Sequence, residues 1–212
     1  MITYTLLALI VGFSLYCFNN RAALEKYMFY PYAIKHGGEH YRFLTHAFIH
    51  ADFFHLFFNC FALYGFGIVL EQALFSNADF FDPRIGKVLY LILFTGGIYA
   101  ASIAEYFRNK DNRAYSSLGA SGAVSSVIFY YILVVPQRPI ALFFIEMPGW
   151  VAGILLLSVS GVLIVRKRKG LHTDNISHEA HFWGALFGIF FEIITRPNNL
   201  NDVWAMIADR LG

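Results

Sequence analysis

Long stretches without a charged residue are the feature that most limits what this chain can fold into. A helix needs ~20 apolar residues to cross ~30 Å of hydrocarbon. Five charge-free stretches come close to that length: Met1–Asn20, Phe53–Leu70, Val88–Ala104, Ala114–Gln137 and Met147–Val165. A sixth, Ala180–Thr195, contains a single charged residue, Glu192. We therefore expect six membrane-spanning helices.

The predicted fold class is an all-α membrane protein, a bundle of six transmembrane helices that forms one domain over residues 1–212. The predicted spans cover residues 1–20, 53–71, 87–106, 119–136, 147–166 and 178–195. The composition agrees, since 58% of the residues are hydrophobic and only 14% are charged. The first stretch is interpreted as a retained span, because no Lys or Arg precedes it and no Ala-x-Ala site follows it.

Several classes of function are disfavoured by the same sequence. Cys17 and Cys60 lie in different predicted spans, which offers neither a disulfide framework nor a zinc signature. The net charge of +2 is too small to argue for a nucleic-acid partner, and the basic run Arg166–Lys169 is typical of a membrane-edge anchor. No cofactor and no metal ion are predicted.

A serine and a histidine stand out, because polar groups within a membrane span are costly and often functional. Ser121 follows the breaker Gly119, which predicts a place in the first turn of a helix. Free backbone N–H groups and the helix dipole favour negative charge there. A neutral imidazole such as His181 is the base that a serine hydroxyl needs. The nearest carboxylate in sequence, Glu179, would face elsewhere, so we predict a dyad.

Two polar side chains in the second span are predicted to stabilise an oxyanion. Asp52 can cap this helix, which puts His55 near its start and Asn59 one turn deeper on the same face. In a dry site, each donor aimed at an oxyanion is typically worth ~3 to 4 kcal/mol. The Ser121 backbone N–H is a further candidate donor, and Gly119 is placed in the same group.

Small residues predict which helix faces pack together. Gly184 and Gly188 form a G-x-x-x-G pattern after the histidine, and Gly122 with Ser126 repeats the small-xxx-small pattern after the serine. Such residues let helix backbones approach closely in lipid. If the two faces meet, the hydroxyl and the imidazole are brought together. Generic helix packing would also account for these glycines.

Between Arg42 and Gly188 the chain resembles the rhomboid intramembrane serine proteases. Each matching motif alone is a weak signal, but five in the same order on the same spans are specific. The motifs are His46 and His50 before the second span, His55-Leu-Phe-Phe-Asn59 within it, Glu71 at its far end, Gly119-Ala-Ser121-Gly122 opening the fourth span, and Ala180-His181-Phe-Trp-Gly184-Ala-Leu-Phe-Gly188 in the sixth. Tyr41-Arg42 resembles the family's Trp-Arg pair.

The resemblance implies an intramembrane serine endopeptidase that hydrolyses peptide bonds in or near the transmembrane helices of substrate proteins. Ser121 would be the nucleophile, His181 the general base and then acid, and His55 with Asn59 the oxyanion hole. The implied partners are transmembrane protein substrates and the lipid bilayer.

One position departs from the family pattern. Many bacterial members carry an aromatic residue one turn below the nucleophile, stacked on the catalytic imidazole, whereas this chain has Ser125. Ser125 could hydrogen-bond the imidazole, or Phe129 or Trp183 could fill the gap.

His46 and His50 are spaced i, i+4 and could bind a metal ion if they were helical. We interpret them as structural hydrogen-bonding residues that, with Ser125, line a polar cavity at the site. Arg42 and Glu71 are interpreted as residues that close the ends of the bundle.

Two alternatives remain at this point. One is a catalytically silent rhomboid-like protein that binds client membrane proteins. The other is a small transporter that uses buried histidines for proton relay, for which paired carboxylates within the membrane would be expected.

Two signals in the sequence disagree about the membrane orientation. Loops one, three and five carry 11 of the 16 Lys and Arg residues, which by the positive-inside rule places them in the cytoplasm. The family resemblance places them outside. We follow the resemblance and predict a multi-pass protein of the cell (inner) membrane whose site opens to the extracytoplasmic side.

Overall fold

The structure is a computed structural model that describes residues 1–142, 145–171 and 176–197; the rest of the predicted domain 1–212 lies outside the described residues. The described chain is mostly helical. In chain order its helices are α1 (Ile2–Phe18), α2 (Arg21–Tyr27), α3 (Pro31–Gly37), α4 (Arg42–Thr45), α5 (Phe53–Phe75), α6 (Pro83–Asn109), α7 (Ser121–Val134), α8 (Gly149–Arg168) and α9 (His178–Thr195).

Among the described residues, three helices are long and apolar enough to cross a membrane, by length and composition: α5, α6 and α8. Helices α1 and α7 are shorter apolar helices. Helix α9 covers the sixth predicted span and carries Glu179 and Glu192. The predicted fold class, a mostly helical membrane protein, is thus confirmed, whereas the count of six spans stays a prediction.

A short β-hairpin joins α7 to α8. Strand β1 (Pro139–Leu142) pairs antiparallel with β2 (Ile145–Pro148), with Ile140 opposite Met147. Ile140 is buried, while its neighbours along β1 are exposed or half-buried, which is the alternation of a strand with one face on the core. The sequence analysis predicted helices only and did not include this hairpin.

Helix α7 occupies the middle of the bundle. Its side chains at Ala123, Val127 and Tyr130 are fully buried. Nine of the 14 residues of α7 are buried, and the helix contacts α6 and α9. This position carries Ser121, the first residue of α7, into the interior.

The predicted small-residue faces of α7 and α9 do meet. A Cβ added at Gly184 would lie 2.1 Å from the Gly122 carbonyl oxygen, and one at Gly188 would lie 2.2 Å from the Ser126 carbonyl oxygen. Only glycine therefore allows this contact between the two backbones. The packing prediction is confirmed by these distances.

The two ionic residues at the ends of the bundle are structural, as predicted. Glu71 accepts hydrogen bonds from the N–H groups of Ile2 and Thr3, which caps the start of α1. Arg42 is buried, and its guanidinium donates to the backbone carbonyl oxygens of Glu25 and Met28 at 2.8 Å each. Each residue ties a distant segment to its own helix.

Candidate active site

The start of α7 positions Ser121. Gly119 has a φ of 116°, a conformation that residues with a side chain rarely adopt. Helix α7 begins two residues later at Ser121, as predicted. The N–H groups in the first turn of a helix have no partner within it. This helix start therefore favours negative charge beside the serine.

A cavity of about 620 Å³ lies beside this helix start. Its walls come mainly from α5, α7, α8 and the start of α9 and are largely apolar. Five of the predicted site residues line it: His55, Asn59, Ser121, Ser125 and His181. The volume is in the range of small-molecule or peptide side-chain sites.

The contact between α7 and α9 brings Ser121 and His181 to the same cavity. A Cβ at Gly122 would lie 3.6 Å from the Ala180 carbonyl oxygen, so the neighbours of the predicted nucleophile and base are close to one another. The hydrogen bond between the Ser121 hydroxyl and the His181 ring that a dyad requires stays a prediction.

The first turns of α5 carry His55 and Asn59. Asp52 is the N-cap of this helix, as predicted, and its carboxylate accepts from the His55 N–H at 2.8 Å. The Asn59 side-chain amide donates one hydrogen to the His55 carbonyl oxygen at 2.9 Å. An amide has two hydrogens, so the buried Asn59 group is held in place and keeps a second donor for the site.

Gly119 lies directly against the His55 ring. A Cβ there would be 2.6 Å from His55 Cε1 and 2.7 Å from Nε2. The Gly119 N–H already donates to the His46 carbonyl oxygen at 2.9 Å. The placement of Gly119 among the oxyanion donors is therefore corrected: its missing side chain makes room for the imidazole, while its own N–H is occupied.

His50 lies behind the cavity and does not line it, which corrects the prediction. The Ala120 N–H donates to His50 Nε2 at 3.3 Å, so the ring carries its proton on Nδ1 and donates to Ser14 Oγ at 3.0 Å. The Ser14 hydroxyl in turn donates to the Phe48 carbonyl oxygen. Burial lowers the pKa of His50 to about 3, which keeps the ring neutral and able to accept from Ala120.

His46 lines a second, smaller cavity of about 20 Å³, large enough for roughly one water molecule. Its Nε2 lies 2.9 Å from Ser102 Oγ on α6. Burial lowers the pKa of His46 to about 4. His46 and His50 are both buried and hydrogen-bonded, as the interpretation of structural residues predicted, but neither lines the larger cavity.

Two of the three candidate neighbours of the His181 ring line its cavity. Ser125 and Phe129 line the cavity with it, whereas Trp183 is 40% exposed. The His178 ring stands edge-on to the His181 ring, with centroids 6.2 Å apart and planes at 88°. The sequence analysis did not identify this neighbour, which is one helical turn away in α9.

Glu105, a buried carboxylate on α6, was not predicted as a site residue. It accepts hydrogen bonds from the hydroxyls of Ser117 and Ser177 and borders the smaller cavity together with Ser121. The signal that could have identified it is an ionisable residue near the end of a predicted span, a position where such residues are often functional.

The fold and the site define a helical membrane protein with a serine and a histidine on one cavity. A family model described as "Rhomboid domain" matches residues 37–198. Because this match covers most of the chain, the protein belongs to the rhomboid family.

Individual relatives agree with the family match. The chain is 32% identical over 180 residues to "RHOMBOID-like protein 12, mitochondrial" of Arabidopsis thaliana, covering 79% of this chain and 50% of the relative. It is 31% identical over 189 residues to "Rhomboid-related protein 1" of Caenorhabditis elegans, covering 86% and 47%. It is 25% identical over 157 residues to "Putative rhomboid protease YdcA" of Bacillus subtilis, covering 74% and 68%. The chain spans about half the length of the first two relatives.

Proposed function

We propose that this protein is an intramembrane serine endopeptidase that hydrolyses peptide bonds in or near the transmembrane helices of other proteins. The observation that carries the proposal is the shared cavity, which Ser121, His181, His55 and Asn59 all line in a member of the rhomboid family. Cleavage of a transmembrane substrate by the purified protein is the test, and this cleavage should require the Ser121 hydroxyl.

In the proposed reaction, the Ser121 oxygen attacks the carbonyl carbon of the scissile peptide while the His181 ring takes the hydroxyl proton. The resulting oxyanion is stabilised by the free Asn59 N–H, the His55 ring and the Ser121 backbone N–H. The C–N bond then breaks as His181 returns the proton to the leaving amine. Water attacks the acyl-enzyme in the same manner and regenerates Ser121.

The proposed substrates are transmembrane helices that unwind easily. A helix hides its peptide bonds in its own hydrogen-bond ladder, and every backbone group freed in lipid needs a new partner. Helices weakened by Gly, Pro or polar residues near the cut unwind at the lowest free-energy cost. The polar groups of the cavity offer the freed backbone groups new partners.

Replacing Asn59 with alanine should lower kcat by roughly 10- to 1000-fold, because the oxyanion loses one of its hydrogen-bond donors. The side chain is buried and donates to its own helix, so thermal unfolding in detergent should show a modest loss of stability. The measurement is kcat against a transmembrane substrate. Cys60→Ala, the next residue on the same helix, is the control. An unchanged kcat would remove Asn59 from the oxyanion hole.

We propose that the site opens to the extracytoplasmic side of the cell membrane, although several relatives are described as mitochondrial. Lys169 follows the end of α8 on the side where α7 and α9 begin. In a background with Cys17 and Cys60 replaced by alanine, Lys169→Cys should react with a membrane-impermeant thiol reagent in intact cells. Reaction only after lysis would reverse the orientation.

A further inference from the structure

Glu105 is a buried carboxylate that joins three parts of the fold. It lies near the end of α6 with 2% of its surface exposed. The Ser117 hydroxyl donates to its Oε2 at 2.7 Å, and the Ser177 hydroxyl donates to its Oε1. Both oxygens therefore accept from serines on other segments. The carboxylate therefore acts on those two segments.

The two serines hold equivalent places relative to the candidate site. Ser117 stands four residues before Ser121, and Ser177 stands four residues before His181. Each is the last residue before the first residue of its helix whose side chain is hydrogen-bonded to Glu105. A displacement of either serine would thus be passed along a short stretch of chain to the nucleophile or to the base.

Ser117 anchors the segment that enters α7. Its backbone N–H donates to the Phe29 carbonyl oxygen at 3.0 Å, and the Phe29 N–H donates back to the Ser117 carbonyl oxygen at 2.9 Å. The Phe29 side chain is fully buried. The backbone of Ser117 is thereby fixed by the first loop, and its side chain is fixed by α6.

Ser177 anchors the start of α9. It is the N-cap of that helix, and its hydroxyl oxygen accepts from the Ala180 N–H at 3.2 Å. The hydroxyl hydrogen goes to Glu105, so one group both caps the helix and ties it to α6. A hydroxyl has one donor and two acceptor positions, and this arrangement uses the donor.

We infer that Glu105 is a positioning residue that holds the Ser121 and His181 segments in register. The inference rests on the proposed function, because the relative placement of the two segments matters for catalysis only if Ser121 and His181 react together. Hydrogen bonds to a charged or strongly polar buried acceptor are about twice as strong as neutral ones at the surface. A shift of ~1 Å between reacting groups lowers a rate by about 100-fold.

A second link between the same helices lies nearer the surface. Glu179 on α9 contacts Arg108 of α6 and lies 3.4 Å from Arg168 of α8. Both arginine side chains are more than a third exposed. Because solvent screens the exposed arginines, these ion pairs are weaker links than buried hydrogen bonds to a carboxylate. Glu105 therefore adds a buried link between α6 and the start of α9 at this end.

The kinetic test compares variants of Glu105 and of its two serines. Glu105→Ala should lower kcat by about 100-fold with little change in KM, since substrate binding in the apolar cavity is untouched. Glu105→Gln keeps one carbonyl acceptor and the side-chain shape and should recover most of the rate. Ser177→Thr keeps the hydroxyl and should stay active, whereas Ser177→Ala and Ser117→Ala should each lose about tenfold.

A matched control separates positioning from general destabilisation. Asp82 is the N-cap of α6 at the opposite end, where its carboxylate accepts from the Arg84 N–H at 2.8 Å. Asp82→Ala removes a cap, as Ser177→Ala does, and should lower the melting temperature without lowering kcat. The inference would be overturned if the losses of kcat followed the melting temperature across all variants. It would also be overturned if only KM changed.

A cross-linking test does not depend on protease activity. In a background with Cys17 and Cys60 replaced by alanine, Ser121→Cys and His181→Cys should form a disulfide under mild oxidation, a bond that requires the two Cα atoms to come within about 7 Å of each other. Glu105→Ala should slow that reaction by about tenfold. Equal rates, or no cross-link with Glu105 present, would overturn the inference. An intact, Glu105-dependent cross-link in a protein that cleaves nothing would instead reject the proposed function alone.

Discussion

Replacing Ser121 with alanine should abolish cleavage of a transmembrane substrate, with a loss of at least about 10⁴-fold in kcat. The hydroxyl is the attacking group of the proposed reaction, and alanine leaves nothing to form the acyl-enzyme. His181→Ala should have a loss of similar size, because without the base the hydroxyl keeps its proton. The double variant should be no worse than either single one, since the two groups act as a unit.

The assay for this prediction uses purified protein in detergent or lipid, with cleavage measured by the appearance of product fragments. Ser158→Ala is the matched control, because Ser158 is an exposed serine on the apolar helix α8. A fluorophosphonate probe should label the wild-type protein and leave Ser121→Ala unlabelled. Residual cleavage by Ser121→Ala would end the nucleophile assignment. A folded wild-type protein that neither cleaves nor reacts with the probe would favour a client-binding, catalytically silent relative.

Replacing Gly184 with alanine should destabilise the bundle by about 3 kcal/mol or more, the upper range for overpacking. The new Cβ would lie 2.1 Å from the Gly122 carbonyl oxygen, and a backbone atom cannot move aside as a flexible side chain can. Alanine is favoured over glycine in a helix by up to ~1 kcal/mol, so the clash must exceed that gain. Separating α7 from α9 should also lower kcat by about 100-fold.

The measurement for Gly184→Ala is thermal unfolding in detergent, together with the cleavage rate of the protein that remains folded. Gly161→Ala is the control, because nothing lies within 4 Å of a Cβ at Gly161 on α8. That variant should be neutral or slightly more stable. Unchanged stability and unchanged cleavage in Gly184→Ala would show that the close contact between α7 and α9 is not needed.

The sequence was a good guide wherever a local pattern decided the structure. The helix start at Ser121 follows from the turn-forming glycine before it, and the cap at Asp52 follows from its place before an apolar run. The facing glycines of α7 and α9 were predictable because only small residues allow such an approach.

Features that depend on distant segments were not predictable in the same way. His50 is held between Ser14 of α1 and the Ala120 N–H, partners that no sequence spacing indicates. The role of Glu105 depends equally on segments that meet only in the folded chain. The β-hairpin was missed because its two strands are only four residues long each and lie between apolar spans.

The shortness of α7 sets a depth for the proposed chemistry. Its 14 residues extend about 21 Å at ~1.5 Å per residue, while the hydrocarbon layer is ~30 Å thick. If Val134 reaches one boundary of that layer, Ser121 lies about 9 Å below the other. A strand gains ~3.3 Å per residue, about twice the rise of a helix. About three extended residues of a substrate would therefore bridge the distance from the headgroups to the serine.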